Sequence, residues 1–328
     1  MILLLGASGY LGHAFADALR RRGQPFIPLT RSAIDYTQLD ILFGYVRKIQ
    51  PSLLINAAGF VGKPNVEACE IARDKAIFWN TLLPQTISRA CLMTNTPWAH
   101  LSSACVYSGA RVHTEDEVRL ERNLDQPEVL RLWQQKPGAF RGFSEADAPN
   151  FCFRAAPCSF YSGTKALAEE AIHGVGQNYI WRLGMTFDER DGARNLLSRI
   201  MGYPKVYDCI NSLSHLDDAV QACLDLWELR APFGIYHLTN SGAISNRQIV
   251  SSIEHILKPN RTFEFWQNAE EFQRATGQVP RSPAILDGSK LAATGIRLRP
   301  VQKAIESALQ HWRSGPATAP LRPPDNPA

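Results

Sequence analysis

Two side chains four residues apart carry the clearest chemistry in this chain. Tyr161-Ser162-Gly163-Thr164-Lys165 opens an amphipathic stretch that continues through Ala171. Helical spacing puts Tyr161 and Lys165 on one face. An ammonium group beside a phenol lowers the phenol's pKa and can hold ribose hydroxyls. The phenol then exchanges a proton with a carbonyl or an alcohol. A hydroxyl donor to the same oxygen is expected at the end of the fourth strand, in His100-Leu101-Ser102-Ser103. Ser103 is the candidate and Ser102 the alternative.

Such chemistry needs a dinucleotide, and the N-terminus supplies a place for one. Gly6-Ala7-Ser8-Gly9-Tyr10-Leu11-Gly12 reads G-x-x-G-x-x-G directly after the apolar run Ile2–Leu5. A glycine turn lets a pyrophosphate approach the backbone, and the following helix N-terminus stabilises its charge. Gly6, Ser8, Gly9, Tyr10, Leu11 and Gly12 are therefore cofactor candidates, as are Ala57, Ala58 and Gly59 after the third strand. The second strand ends Leu29-Thr30-Arg31-Ser32, with no carboxylate before Asp35. An NAD site wants an acid there for the ribose 2′-hydroxyl, and an NADP site wants a cation for the 2′-phosphate. Arg31 and Ser32 suit the phosphate, so NADP(H) is expected over NAD(H). Asp35, further into the loop, is a candidate for the adenine edge.

The elements that position these residues alternate. Strands are expected at Ile2–Leu5, 25–29, Leu53–Asn56 and 97–101. Helices are expected over 11–22, 38–49 and 67–94, the last interrupted near Pro84. This alternation implies an α/β fold, a Rossmann-type doubly wound parallel sheet covered on both faces.

Composition agrees with that class. The chain has 328 residues, 45% hydrophobic and 20% charged, which excludes disorder or coiled coil as the main architecture. A net charge of +4 gives no electrostatic case for nucleic acid. The apolar run at the N-terminus is too short for a membrane span or a signal peptide. Seven cysteines without a C-x-x-C pair fit free thiols in a reducing compartment, so a cytoplasmic location is expected. No residues are assigned to a metal.

The glycine turn, the Tyr161/Lys165 pair and Ser103 together resemble the extended short-chain dehydrogenase/reductase family. His215-Leu216-Asp217-Asp218, Gly234–Leu238 and the capping box Ser245-x-x-Gln248 fit its later segments. A narrower resemblance lies in Asn56–Glu70, Asp147-Ala148-Pro149-Asn150-Phe151, Asn211-Ser212, Pro280-Arg281-Ser282 and Asp287–Leu291. These segments look like those of bifunctional nucleotide-sugar 3,5-epimerase/4-reductases and dTDP-4-dehydrorhamnose reductases. The resemblance implies NADPH-dependent reduction of the C4 ketone of a nucleoside-diphosphate 4-keto-6-deoxy sugar. It also implies substrate contacts at Lys63, Asn65, Asn150, Arg199 and Arg281, with Lys205 a further cation for the diphosphate. Pairing with a second copy through helices is the habit of the family.

In the epimerase/reductases a cysteine two positions after the catalytic hydroxyl acts as an acid/base on the sugar ring. Here that position is Cys105, and nearby cations would favour its thiolate. The partner lysine of those enzymes aligns with Arg199, and an arginine does not give up its proton. Reduction is thus the main expectation, and coupled C3/C5 epimerisation stays open. The rivals are an epimerase without net reduction and a nonenzymatic NADP-binding regulator.

The expected organisation is a cofactor domain over 1–183 and 206–241, and a substrate lobe over 184–205 and 242–312. A flexible tail over 313–328 carries five prolines. The stretch 109–143 reads as an insertion with one short helix around Trp133. It is either a solvated surface excursion or a lid or subunit contact.

Overall fold

The computed structural model describes residues 1–62, 66–113, 117–276 and 279–315. Lys63, Asn65 and most of the proline-rich tail lie outside the described residues. Six parallel strands form the central sheet, in the order Gly234–His237, Asn178–Leu183, Trp98–Ser103, Leu53–Asn56, Ile2–Leu5, Phe26–Leu29. The fold is a Rossmann-type, doubly wound α/β sheet. Residues along Ile2–Leu5 alternate between two cores. Ile2 and Leu4 pack with Phe15, Leu19 and the helix Leu216–Glu228, while Leu3 and Leu5 pack with Leu42, Val46, Leu83 and Ile87. Helices on both faces explain why this strand reads as an unbroken apolar run.

The strand order reverses between Ile2–Leu5 and Leu53–Asn56, and the crevice above such a switch point is where doubly wound sheets hold ligands. The two loops touch there. Gly6 has φ +71°, and a Cβ on it would come 2.5 Å from the Ala58 nitrogen. A Cβ on Gly12 would come 2.1 Å from the Gly6 oxygen. No larger residue fits at either position without moving backbone.

The helix expected over 67–94 is more broken than the sequence suggests. It divides into Ala68–Ile71, Arg73–Ile77, a π-helical turn Phe78–Leu82 and Leu83–Met93. Pro84 sits in the first turn of the last piece, where a missing N–H does least harm. The wider turn before it carries two buried polar residues, Asn80 and Thr81.

The stretch 109–143 holds the short helix expected around Trp133, but it is packed rather than a solvated excursion. Ala110–His113 pairs antiparallel with Val118–Glu121 and with Phe140–Arg141, and the helix runs Pro127–Gln135. Val112, Leu124, Val129, Trp133 and Phe140 share a core with Ile210 and Ile285. The Ser245–Gln248 capping box forms with both bonds, and Trp133 donates to the same Gln248 oxygen at 3.1 Å. The insertion is therefore docked on the C-terminal lobe.

That lobe has its own core, with Phe187, Leu197, Ile200, Ile249, Ile253, Ile305 and Leu309. Val206 and Leu213, expected with the cofactor domain, pack here, whereas Leu291 and Ile296, expected in the lobe, pack under the sheet. Sequence order alone places these crossings differently from packing. Among the described residues, no helix is long and apolar enough to cross a membrane.

Candidate active site

The helix Phe160–Ile172 carries Tyr161 and Lys165 and starts at a firm cap. The Ser159 hydroxyl accepts the Ser162 N–H at 3.1 Å, and Glu70 accepts the Phe160 N–H at 2.6 Å. Gly163 lets the helix pass Phe153, since a Cβ there would lie 2.2 Å from the ring. Lys165 is 5% exposed, and its Nζ donates to the Leu101 carbonyl at 2.9 Å. Leu101 belongs to the strand that ends at Ser103, so helix and strand are tied at the site.

The choice between the two serines is a matter of strand alternation. Ser103 faces the Tyr161 side chain and acts on its phenol, and the Ser103 oxygen accepts the Cys105 N–H at 3.2 Å. Ser102 donates to the carboxylate of Glu169. Ser103 is thus the serine hydroxyl beside Tyr161.

Burial dominates the titration of the cluster. It pushes the Tyr161 phenol up, as do charges on Cys105 and Cys69, while Ser103 and Arg194 act downward. The expected lowering of Tyr161 is therefore not the net effect. Burial likewise lowers Lys165 to about 8, against the opposing influence of Cys105, Glu169 and Cys69. Cys105 departs from expectation. Its thiol is raised by burial, which outweighs the Ser103 and Ser162 hydrogen bonds and the Lys165 charge. Neighbouring cations do not by themselves make this thiolate.

Several residues escaped sequence reading. Asn80, 0% exposed, accepts the Phe60 N–H at 2.8 Å, donates to the Phe60 carbonyl at 2.8 Å, and reaches the Thr164 hydroxyl at 3.2 Å. Thr81 donates to the Thr164 carbonyl at 2.9 Å. The π-helical turn thus pins the segment after Gly59 to the helix that carries Tyr161 and Lys165. A Cβ on Gly59 would lie 3.6 Å from Lys165 Nζ and 3.3 Å from Asn80, so the glycine keeps a cradle open beside the ammonium. Cys69, with its thiol raised to about 11, faces the same cluster. A polar pair inside the apolar run 76–84 was the sequence signal for Asn80 and Thr81.

The remaining cofactor candidates surround the glycine turn. Gly9 caps the helix Tyr10–Arg21, which has no acidic residue in its first turn, and Ser8 and Gly9 are exposed. Leu11 packs on the core, and the Tyr10 hydroxyl lies 3.5 Å from Asp188. Arg31, Ser32 and Asp35 are exposed at the end of the second strand. The Arg31 guanidinium lies over the Trp79 ring at 4.6 Å. Asp35 accepts the backbone N–H and hydroxyl of Thr37, which hold its carboxyl below the usual range. The open glycine cradle fits a dinucleotide lying across the switch point.

The substrate candidates separate. Arg199 lies 5.7 Å from the Tyr203 ring, and its charge acts on Arg194, which in turn acts on Tyr161. Arg194, half-buried, donates to the Gly62 carbonyl at 3.0 Å. Arg281 pairs with Glu67, and its Nε is buried without a hydrogen-bond partner. Asn150 is occupied elsewhere, bonding both backbone groups of Ser108 at 2.8 and 3.0 Å. Lys205 pairs with Glu271 at 3.2 Å.

A family model, the RmlD substrate binding domain, matches residues 1–314. A trifunctional UDP-glucose 4,6-dehydratase/UDP-4-keto-6-deoxy-D-glucose 3,5-epimerase/UDP-4-keto-L-rhamnose-reductase of Arabidopsis thaliana is 27% identical over 292 residues, 88% of this chain but 39% of that protein. The chain thus spans well under half of that relative. A bifunctional dTDP-4-dehydrorhamnose 3,5-epimerase/dTDP-4-dehydrorhamnose reductase of the same plant is 26% identical, covering 92% of this chain and 90% of the relative. Among solved structures, the UDP-rhamnose synthase of Acanthamoeba polyphaga mimivirus superposes with a TM-score of 0.79 at 20% identity, over 94% of this chain and 98% of that one. With a match running from the glycine turn to the last described helix, this chain belongs to the RmlD substrate-binding-domain family.

Proposed function

We propose that this chain is an NADPH-dependent reductase of the C4 ketone of a nucleoside-diphosphate 4-keto-6-deoxy sugar. The observation that carries the reading is the meeting of Ser103, Tyr161 and Lys165 at the C-terminal end of the sheet, on a strand and a helix locked together through Leu101. The names of the relatives support the substrate class. When bound, NADPH supplies the hydride that reduces C4. Tyr161 donates its proton to the C4 oxygen, so ketone becomes alcohol. Ser103 holds that oxygen by a hydrogen bond, and Lys165 holds the cofactor ribose. Gly6, Ser8, Gly9, Tyr10, Leu11 and Gly12 receive the pyrophosphate, with Ala57, Ala58 and Gly59 opposite. Arg31 and Ser32 take the 2′-phosphate. Arg281, Arg199 and Arg194 face the sugar nucleotide.

The enzyme acts in the cytoplasm and pairs with a second copy. Phe78, Leu82 and Leu167 are large apolar side chains 38–45% exposed on contacting helical segments, and pairing would cover them. The test of the main reading is NADPH oxidation with UDP- and dTDP-linked 4-keto-6-deoxy sugars. Cofactor binding without oxidation on any of them would leave a binding protein instead.

A second activity has its own observation. Cys105 adjoins Ser103 and Tyr161, which supports a thiol acting on the sugar ring. Removal of a proton beside the ketone would bring solvent deuterium into C3 or C5 before reduction, and Cys105→Ser would abolish it. Reduction in D₂O without ring deuterium would make Cys105 a packing residue.

A further inference from the structure

Beside the site stands an ion pair that the proposed chemistry does not explain. Glu67 and Arg281 are 214 positions apart in the chain, and they meet through Arg281 Nη2 and Glu67 Oε1. Their backbones are held independently. The Glu70 N–H donates to the Glu67 carbonyl at 3.0 Å, and the Glu70 carboxylate accepts the Phe160 N–H at the start of the helix that carries Tyr161. Just past Arg281, the Pro283 carbonyl accepts the Gly109 N–H at 2.7 Å, and the Ala284 carbonyl accepts the Ser212 N–H at 2.9 Å. The pair can therefore open by rotation of side chains alone. The two side chains are 30% and 29% exposed, and an ion pair this open to water opposes its own rupture only weakly. The Arg281 guanidinium lies 5.4 Å from the Phe272 ring, which stacks on Tyr207 at 4.1 Å. Its Nε is buried without a hydrogen-bond partner, so Glu67 engages Nη2 and leaves part of the fork unsatisfied.

We propose that Glu67 is a latch on the substrate site: its carboxylate occupies the Arg281 guanidinium until the diphosphate of a sugar nucleotide displaces it. The inference rests on the reductase reading above, in which Arg281 faces the sugar nucleotide. Carboxylates and phosphates are taken by the same fork of N–H donors, so one anion can stand in for the other. A diphosphate carries more negative charge and more acceptor oxygens than a single carboxylate. It can engage Nη2 and the unsatisfied Nε together. A buried donor without a partner is costly, and the exchange relieves that cost. Every ligand that uses Arg281 must first open the pair, so its affinity is reduced by the fraction of the chain that is latched. A ligand that does not reach Arg281 is indifferent to Glu67.

The experiment is calorimetric titration of UDP and dTDP into the full chain and its variants. Glu67→Gln should tighten binding of whichever diphosphate the unmodified chain takes by about two- to fivefold, the worth of a partly exposed ion pair. Glu67→Ala, which leaves no amide behind, should do the same. Arg281→Ala should weaken binding. Adding Glu67→Gln to Arg281→Ala should change nothing further, because the latch then has no cation to hold. NADPH affinity, titrated on the same proteins, should not follow the Glu67 substitutions. Diphosphate binding that is unchanged or weaker in both Glu67 variants overturns the inference and leaves the reductase reading intact, since Glu67 would then steady Arg281 rather than block it. An equal gain from Glu67→Gln in the Arg281→Ala background also overturns it, because charge repulsion without a latch would be the cause. A gain in NADPH affinity of the same size does so too. An unmodified chain that binds neither UDP nor dTDP overturns both the inference and the reductase reading.

Discussion

The sheet side of the site and the lobe side are built on different principles. On the sheet side, Lys165 is 5% exposed and bonded to Leu101, Asn80 is fully buried, and the helix cap and π-helical turn leave little freedom. On the lobe side, Arg194, Arg199 and Arg281 are half-buried, and they are held by a carbonyl, an aromatic face and a carboxylate. The proposed proton donor has to be correct to a fraction of an ångström when the barrier is crossed, which its rigid elements allow. Groups that bind phosphates act through charge and forked hydrogen bonds, which tolerate longer and more mobile side chains. The difference teaches that substitutions on the sheet side should be read in turnover and those on the lobe side in substrate affinity.

The strongest attempt to break that division is Tyr161→Phe. It removes one hydroxyl, and a loss of about 10²–10⁴-fold in kcat is expected with NADPH binding retained. Near-normal turnover on a competent keto sugar would remove Tyr161 from the proton path. Arg281→Ala tests the opposite side. Loss of a charged hydrogen-bond donor to the diphosphate should raise KM about tenfold to a hundredfold and leave kcat within a few-fold. Steady-state kinetics showing a collapse in kcat instead would mean that the lobe takes part in the chemistry.

Two smaller effects sharpen the comparison at the cofactor edge, where the sheet side itself becomes exposed. The unmodified chain should prefer NADPH over NADH by about tenfold, or about 1.4 kcal/mol, and Arg31→Ala should erase most of it. Equal affinities before substitution would assign Arg31 to the solvent. Trp79→Leu should reduce the same preference by only about two- to fivefold, the worth of an exposed cation–π contact. Titration with both cofactors separates this effect from general damage, which would weaken NADH equally.

Much of the site is legible in the sequence, for local reasons. The glycine turn and the i, i+4 pair of Tyr161 and Lys165 each lie within a few residues, so spacing alone places them. The apolar period marks the strands and most helices. What is not legible depends on partners distant in the chain. Ser102 and Ser103 are indistinguishable as residues, and the strand's pairing decides which one meets Tyr161 and which one meets Glu169. Asn80 becomes a clamp only because a π-helical turn aims it at Phe60 and Thr164. Asn150, a substrate candidate by resemblance, is taken up by Ser108.

By itself, the sequence determined the alternation of strands and helices, the glycine turn after the first strand and the i, i+4 spacing of Tyr161 and Lys165. These follow from backbone periodicity and from the conformations open to glycine, which are properties of neighbouring residues. Only the tertiary structure decided how those groups titrate. Burial raises Cys105 against the pull of Lys165 and brings Lys165 down to about 8. It also seals Glu169 against Arg182, residues thirteen positions apart that meet inside the fold. The physical reason is desolvation: removing water from a charge depends on every element packed around it, and no window of sequence contains them all.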